Sequence, residues 1–86
     1  MLKNLFSPVR IGKIEIPNRL IVAPMVMNYC NNDGTATERY IAYHEAKAKG
    51  GWGLIITEDY AIDPKGRGFS NIPGLWEDSQ IESHAE

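Results

Sequence analysis

Leu20-Ile21-Val22-Ala23-Pro24-Met25 and Gly53-Leu54-Ile55-Ile56-Thr57-Glu58 are the two stretches that decide the fold. Both open as continuous apolar runs, without the alternation of a half-solvated strand. Strands buried on both faces read this way, and they belong to parallel sheets. Parallel neighbours need a crossover, and the residues between the runs supply one. Tyr40, Ile41, His44 and Ala48 fall on one helical face, Lys47 and Lys49 suit the negative pole of a helix, and Gly50-Gly51 offers a left-handed stop. The spacing predicts a helix over 36–49, with Thr35 and Glu38 as a capping box and Thr37 as a rival N-cap. The two runs and this helix make a β-α-β unit.

Upstream, Val9 and Ile11 alternate with polar neighbours, and Ile14 and Ile16 do so again beyond a Gly12-Lys13 turn. This predicts a β-hairpin whose ordinary role is to cap the closed end of a sheet. The first buried strand covers Leu20 to Ala23 and ends at Pro24, which has no backbone donor. Asn28 to Gly34 has the Asn, Asp and Gly chemistry of a loop. Asp59 to Leu75 forms a second loop of roughly 17 residues, beyond the usual two to six of a βα connection, and loops of that length are often functional. Asp78 or Ser79 is then placed to cap a second helix through Gln80 and Ile81.

Composition removes several function classes. With nine Lys and Arg against eleven acids, a net charge of −2 and no basic cluster, the chain has no field to hold nucleic acid or an anionic membrane. Its longest apolar stretch, Leu20 to Val26, is far below the roughly 18 residues of a membrane span, and the N-terminus lacks a signal-peptide pattern. A single cysteine, Cys30, excludes an internal disulfide and a CxxC motif, so a reducing, cytoplasmic setting is expected. No His and carboxylate spacing supports a metal site.

In parallel α/β architectures, ligands sit where the carboxyl ends of the strands meet their loops. That rule singles out Ala23 to Met27 and Glu58 to Ala61. Small residues and a proline after the first strand would let a flat ligand approach the backbone, although a Pro-Met pair also serves as core packing. Other residues have ordinary readings. His44 lies on the apolar helix face and reads as a packed histidine, and His84 near the end reads as solvated. Cys30 reads as a buried or indifferent loop thiol. Arg67 could contact a phosphate or, more ordinarily, anchor its loop through an ion pair.

Taken together, the motifs carry a resemblance. Leu5-Phe6-Ser7-Pro8, Gly12, Asn18-Arg19, Ala23-Pro24-Met25, Asp33-Gly34-Thr35, Gly51, Gly53 to Glu58, Pro64 and Gly66-Arg67-Gly68 occur in order over nearly the whole chain. This resembles the amino-terminal third of the Old Yellow Enzyme family, the FMN-dependent NAD(P)H:flavin oxidoreductases, including 2-enoate reductase relatives. The resemblance implies an α/β fold: the amino-terminal part of a (β/α)8 TIM barrel, made of hairpin, strand, helix, strand and the start of a second helix. It places residues 1–86 in a partial, truncated FMN-binding barrel domain, since a full barrel takes about 250 residues. By position, Ala23, Pro24, Met25 and Val26 would touch FMN, and Asp59 would stand where the family usually has a small residue. A carboxylate there is disfavoured beside reduced flavin unless it is paired or turned away. Val26 and Asn28 occupy positions where many bacterial members carry cysteine and tyrosine. Asn28 to Gly34 looks more like the 2-enoate reductase side of the family.

The implied chemistry is hydride transfer from NADH or NADPH to FMN, and from FMN to an alkene conjugated to a carbonyl. Enones or enoates would be the small-molecule substrates, and no catalytic residue is expected within this chain. Further domains with an iron-sulfur cluster and FAD occur in some such proteins. Without the later strands, the chain alone is expected to be inactive and, with apolar strands uncovered, to form a homo-oligomer. The other class of function is a non-catalytic flavin-binding or interaction module derived from the same family.

Overall fold

The computed structural model describes residues 2–86. Strands β1 (Val9–Ile11) and β2 (Ile14–Ile16) pair antiparallel, with Val9 opposite Ile16 and Ile11 opposite Ile14. Gly12, at φ 59°, makes the turn, in a region where a side chain would be strained. Only Ile16 of this hairpin is buried. The chain then passes into β3 (Ile21–Val22), crosses over through α1 (Glu38–Lys49) and returns as β4 (Leu54–Ile55). β3 and β4 pair in parallel, Ile21 with Leu54 and Val22 with Ile55. The expected β-α-β unit is therefore present. Its strands are shorter than the apolar runs, because each run bends into its loop.

The amino end of the unit is held by Asn18. Its side chain accepts from the Leu20 amide at 3.0 Å and donates to the Gly51 carbonyl at 2.8 Å. The Gly53 amide donates to the Leu20 carbonyl at 3.0 Å. A Cβ on Gly53 would lie 2.7 Å from the Asn18 Oδ1 atom and still closer to its carbonyl, so only glycine fits.

Helix α1 begins two residues later than the spacing suggests. Thr37 is the N-cap, its Oγ1 accepting from the Tyr40 amide at 3.1 Å. The Thr35–Glu38 capping box does not form, because Asp33 captures Thr35 first. Asp33 Oδ1 accepts from the Thr35 amide at 3.0 Å and from its hydroxyl at 2.6 Å, closing an Asx turn. The helix stops at Gly50, and Gly51, at φ 92°, provides the left-handed residue.

Beyond β4 the long loop is ordered by its own contacts. A 3-10 turn at Pro64–Gly66 is capped by Asp63, and Ala61 pairs in parallel with Gly74. A second 3-10 turn, Asp78–Gln80, leads into α2 (Ile81–Ala85). Neither Asp78 nor Ser79 is the cap: Glu77 occupies that position, and the Gln80 side chain turns back to accept from the Trp76 and Glu77 amides. Among the described residues, no helix is long and apolar enough to cross a membrane.

Candidate functional site

The carboxyl ends of β3 and β4 face the same loop layer. The Val22 carbonyl accepts from the Ile56 amide at 3.0 Å, and four residues on from Ala23 the Met27 amide donates to Glu58 Oε2 at 2.9 Å. Ala23, Pro24, Met25 and Val26 span the gap between these two bonds. Among the described residues, the amides of Ala23, Met25 and Val26 find no protein acceptor. Met25 is 64% exposed and Val26 half-buried. The result is a short turn with free backbone groups and an exposed thioether at one edge of the sheet. Asp59, also exposed, directly follows Glu58, so all five expected site residues gather on this edge.

The turn is anchored on its far side as well. Asn28 adopts φ 63°, and its Oδ1 accepts from the Asn71 amide at 2.9 Å. Thr37 Oγ1 donates to the Tyr29 carbonyl, and the Cys30 amide donates to the Asn71 carbonyl at 3.0 Å. Successive residues 27–30 are thereby tied to the end of β4, to the long loop and to the cap of α1.

Beneath this edge lies a buried set of titratable groups. Glu58 is 4% exposed, and its Oε1 has no partner among the described residues. Cys30 is buried, and burial, with a smaller contribution from Glu58, pushes its thiol up to about 12. The buried loop-thiol reading of Cys30 holds, and its surroundings favour the thiol over the thiolate. Tyr40 OH is hydrogen-bonded to Tyr60 OH, and burial together with that bond raises the Tyr40 phenol. Burial lowers the His44 imidazole, against a smaller upward pull from Glu58, and its ring packs edge-on against Tyr40 at 4.7 Å. The packed reading of His44 holds too.

Two expectations are corrected. His84 is not solvated: its Nε2 lies 2.8 Å from the Gly34 carbonyl, and its ring packs against Tyr40 and Tyr60. The reason is tertiary, since α2 folds back onto the cap region of α1. Arg67 does anchor its loop, but through carbonyls of Pro64, Asn32 and Ser70, with its guanidinium over the Trp76 ring and, among the described residues, without an ion pair. These carbonyls engage the Nε and Nη1 donors of its planar guanidinium.

Sequence reasoning missed the roles of Glu58 and Gln80. Glu58 carried a signal, as the one ionisable group ending an otherwise apolar strand run. Gln80, fully buried, donates from Nε2 to the Asp33 carbonyl at 2.8 Å while its Oε1 accepts from the Trp76 amide at 2.8 Å. Gly34 and Gly74 make room for it: a Cβ would come within 2.5 Å of Nε2 at Gly34 and 2.7 Å at Gly74. Among the described residues, no group of three or more His, Cys, Asp or Glu could hold a metal ion.

Comparison with known proteins agrees with this architecture. The chain is 48% identical over 65 residues to an NADH oxidase of Thermoanaerobacter brockii, covering 74% of this chain and 10% of that protein. It superposes on the old yellow enzyme homologue of Zymomonas mobilis with a TM-score of 0.85 at 34% identity, over 94% of this chain and 22% of the other. On a 2-naphthoyl-CoA reductase in complex with 2-naphthoyl-CoA the TM-score is 0.93 at 32% identity, over 96% of this chain and 13% of that one. The chain thus spans less than a quarter of each relative and folds as the amino-terminal β/α units of their barrel. Residues 4–86 match the model of a single family, and on that match the chain belongs to the NADH:flavin oxidoreductase / NADH oxidase family.

Proposed function

We propose that this chain supplies one edge of an FMN site, within a barrel domain that reduces alkenes conjugated to a carbonyl. The observation that carries the proposal is the Ala23–Val26 turn, strung between the Val22–Ile56 and Met27–Glu58 bonds with its amides unpaired. A planar heteroaromatic ring with carbonyl and ring-nitrogen acceptors fits such an edge: free amides can meet its polar rim, and Met25 can lie on its face. When bound, FMN would supply hydride-transfer chemistry between NADH or NADPH and a small-molecule enone or enoate. The chain's own residues orient and shield. Pro24 fixes the turn, Ala23 keeps the backbone accessible, and Val26 excludes water from one side. Asp59 serves the site only with its carboxylate turned to solvent, in keeping with its exposure. Exposed Ile21 and Ile56 support covering of the strand pair by further barrel elements or a second copy.

The test is Met25→Asp in the flavoprotein carrying this chain. It places a charge against the ring and should strip FMN from the purified protein. Unchanged flavin content and reduction potential would contradict the assignment. Stoichiometric FMN without reduction of any enone or enoate would favour the non-catalytic module instead.

A further inference from the structure

We infer that Glu58 is the positioning residue of this edge, its carboxylate holding the Ala23–Val26 turn in register with β4 through the Met27 amide. The inference rests on the flavin reading of that turn. Among the described residues the turn makes no hydrogen bonds of its own, so its place is decided at its two ends. One end is backbone pairing, Val22 to Ile56, which any strand continuation would supply. The other is a side chain: Glu58 Oε2 accepts from the Met27 amide at 2.9 Å.

The surroundings of Glu58 say that packing does not account for it. The residue is 4% exposed, and Oε1 has no partner among the described residues. Leaving a buried carboxylate oxygen unpaired is unfavourable, and an apolar side chain would avoid that cost. Among the described residues no cation is paired with it: Cys30, Tyr40 and His44 all feel Glu58, and burial favours the neutral form of each. What the carboxylate gains in return is the Met27 bond. That bond sets where Met27 leaves the turn, one residue before the left-handed Asn28 that is itself held by Asn71. Loss of the bond frees the turn on one side while the Asn28 and Cys30 anchors beyond it stay in place.

The experiment uses two variants and two readouts. In the flavoprotein, Glu58→Ala should raise the FMN dissociation constant about tenfold, the scale of a lost hydrogen bond to a charged group. Glu58→Gln, whose amide oxygen still accepts from Met27, should return it to within about threefold of the parent. Amide exchange at Met27 without flavin provides the second readout: protected in the parent and in Glu58→Gln, fast in Glu58→Ala. Full protection of Met27 in Glu58→Ala would overturn the clamp. Fast Met27 exchange with unchanged FMN affinity would leave the bond standing but overturn its link to flavin, and with it the reading of the turn. Should Glu58→Ala fail to fold, Glu58→Gln decides alone: weak FMN binding with Met27 still protected would assign the role to charge and contradict positioning.

Discussion

The loop layer at the carboxyl ends and the strand pair beneath it are built in opposite ways. The loop layer holds most of the buried residues, with Cys30, Glu58, Ala61, Ile72, Pro73 and Gln80 inside; the backbone groups of Cys30, Ala61 and Pro73 and the side chains of Glu58 and Gln80 pair with partners distant in sequence. The strands that should form a barrel's apolar heart are open, with Ile21 at 44% and Ile56 at 46% exposure. Directional hydrogen bonds can be completed locally by a few side chains, whereas a doubly buried strand needs layers on both faces. The loop layer is therefore organised by its own hydrogen bonds, while the strand pair leaves apolar side chains exposed.

Four predictions would break or sharpen that contrast. The largest effect is expected at Gly74, where a Cβ would sit 2.7 Å from Gln80 Nε2 and 2.8 Å from Trp76 Cε3. Gly74→Ala should destabilise the loop layer by about 3 kcal/mol, the scale of overpacking a close-packed interior, measured by denaturant titration in the flavoprotein. A loss below about 1 kcal/mol would show that the layer is loose. Gln80→Ala should cost about 2 kcal/mol, because it leaves the Asp33 carbonyl and Trp76 amide without their partner. Thr37→Ala, which removes the cap of α1 and the bond to Tyr29, should cost about 1 kcal/mol. Smaller still is Ile56→Ser: folding should change little, but self-association of the chain in sedimentation equilibrium should weaken, since the exposed apolar face is what a second copy would cover.

The pH dependence follows from His44. Burial depresses its folded pKa below the ordinary value, so as pH falls below about 6.5 the unfolded chain takes up the proton first. Stability is thus intact above that pH and declines as pH drops towards the folded pKa. His44→Phe should flatten this part of the stability profile, and an unchanged slope would assign it to other groups.

How much was legible follows the range of the interactions. The β-α-β unit was readable because apolar continuity and helical spacing are local, and Gly50-Gly51 marks the end of α1 on its own. The positions of Ala23 to Val26 and Asp59 beyond the strands follow from where the apolar runs end. Of the two caps that the spacing allows, Thr37 forms, and the Thr35–Glu38 box does not because Asp33, two residues from Thr35, competes for the Thr35 amide and hydroxyl. Gln80 and His84 were opaque for a different reason. Their partners, the Asp33 and Gly34 carbonyls, lie 47 and 50 residues away and carry no side-chain signature. Arg67 was half legible: a loop anchor was expected, but carbonyl acceptors leave no charged partner in the sequence.

The most direct test of the contrast is residue-resolved amide hydrogen exchange on this chain. The loop-layer amides of Met27, Cys30, Ala61, Gly74 and Leu75 all donate to defined acceptors. They should exchange more slowly than the β3–β4 ladder amides of Leu54 and Ile56, whose strands have open edges and exposed faces. The opposite order, with Leu54 and Ile56 protected and Met27, Gly74 and Leu75 fast, would contradict the account by showing that the strand pair organises the site edge.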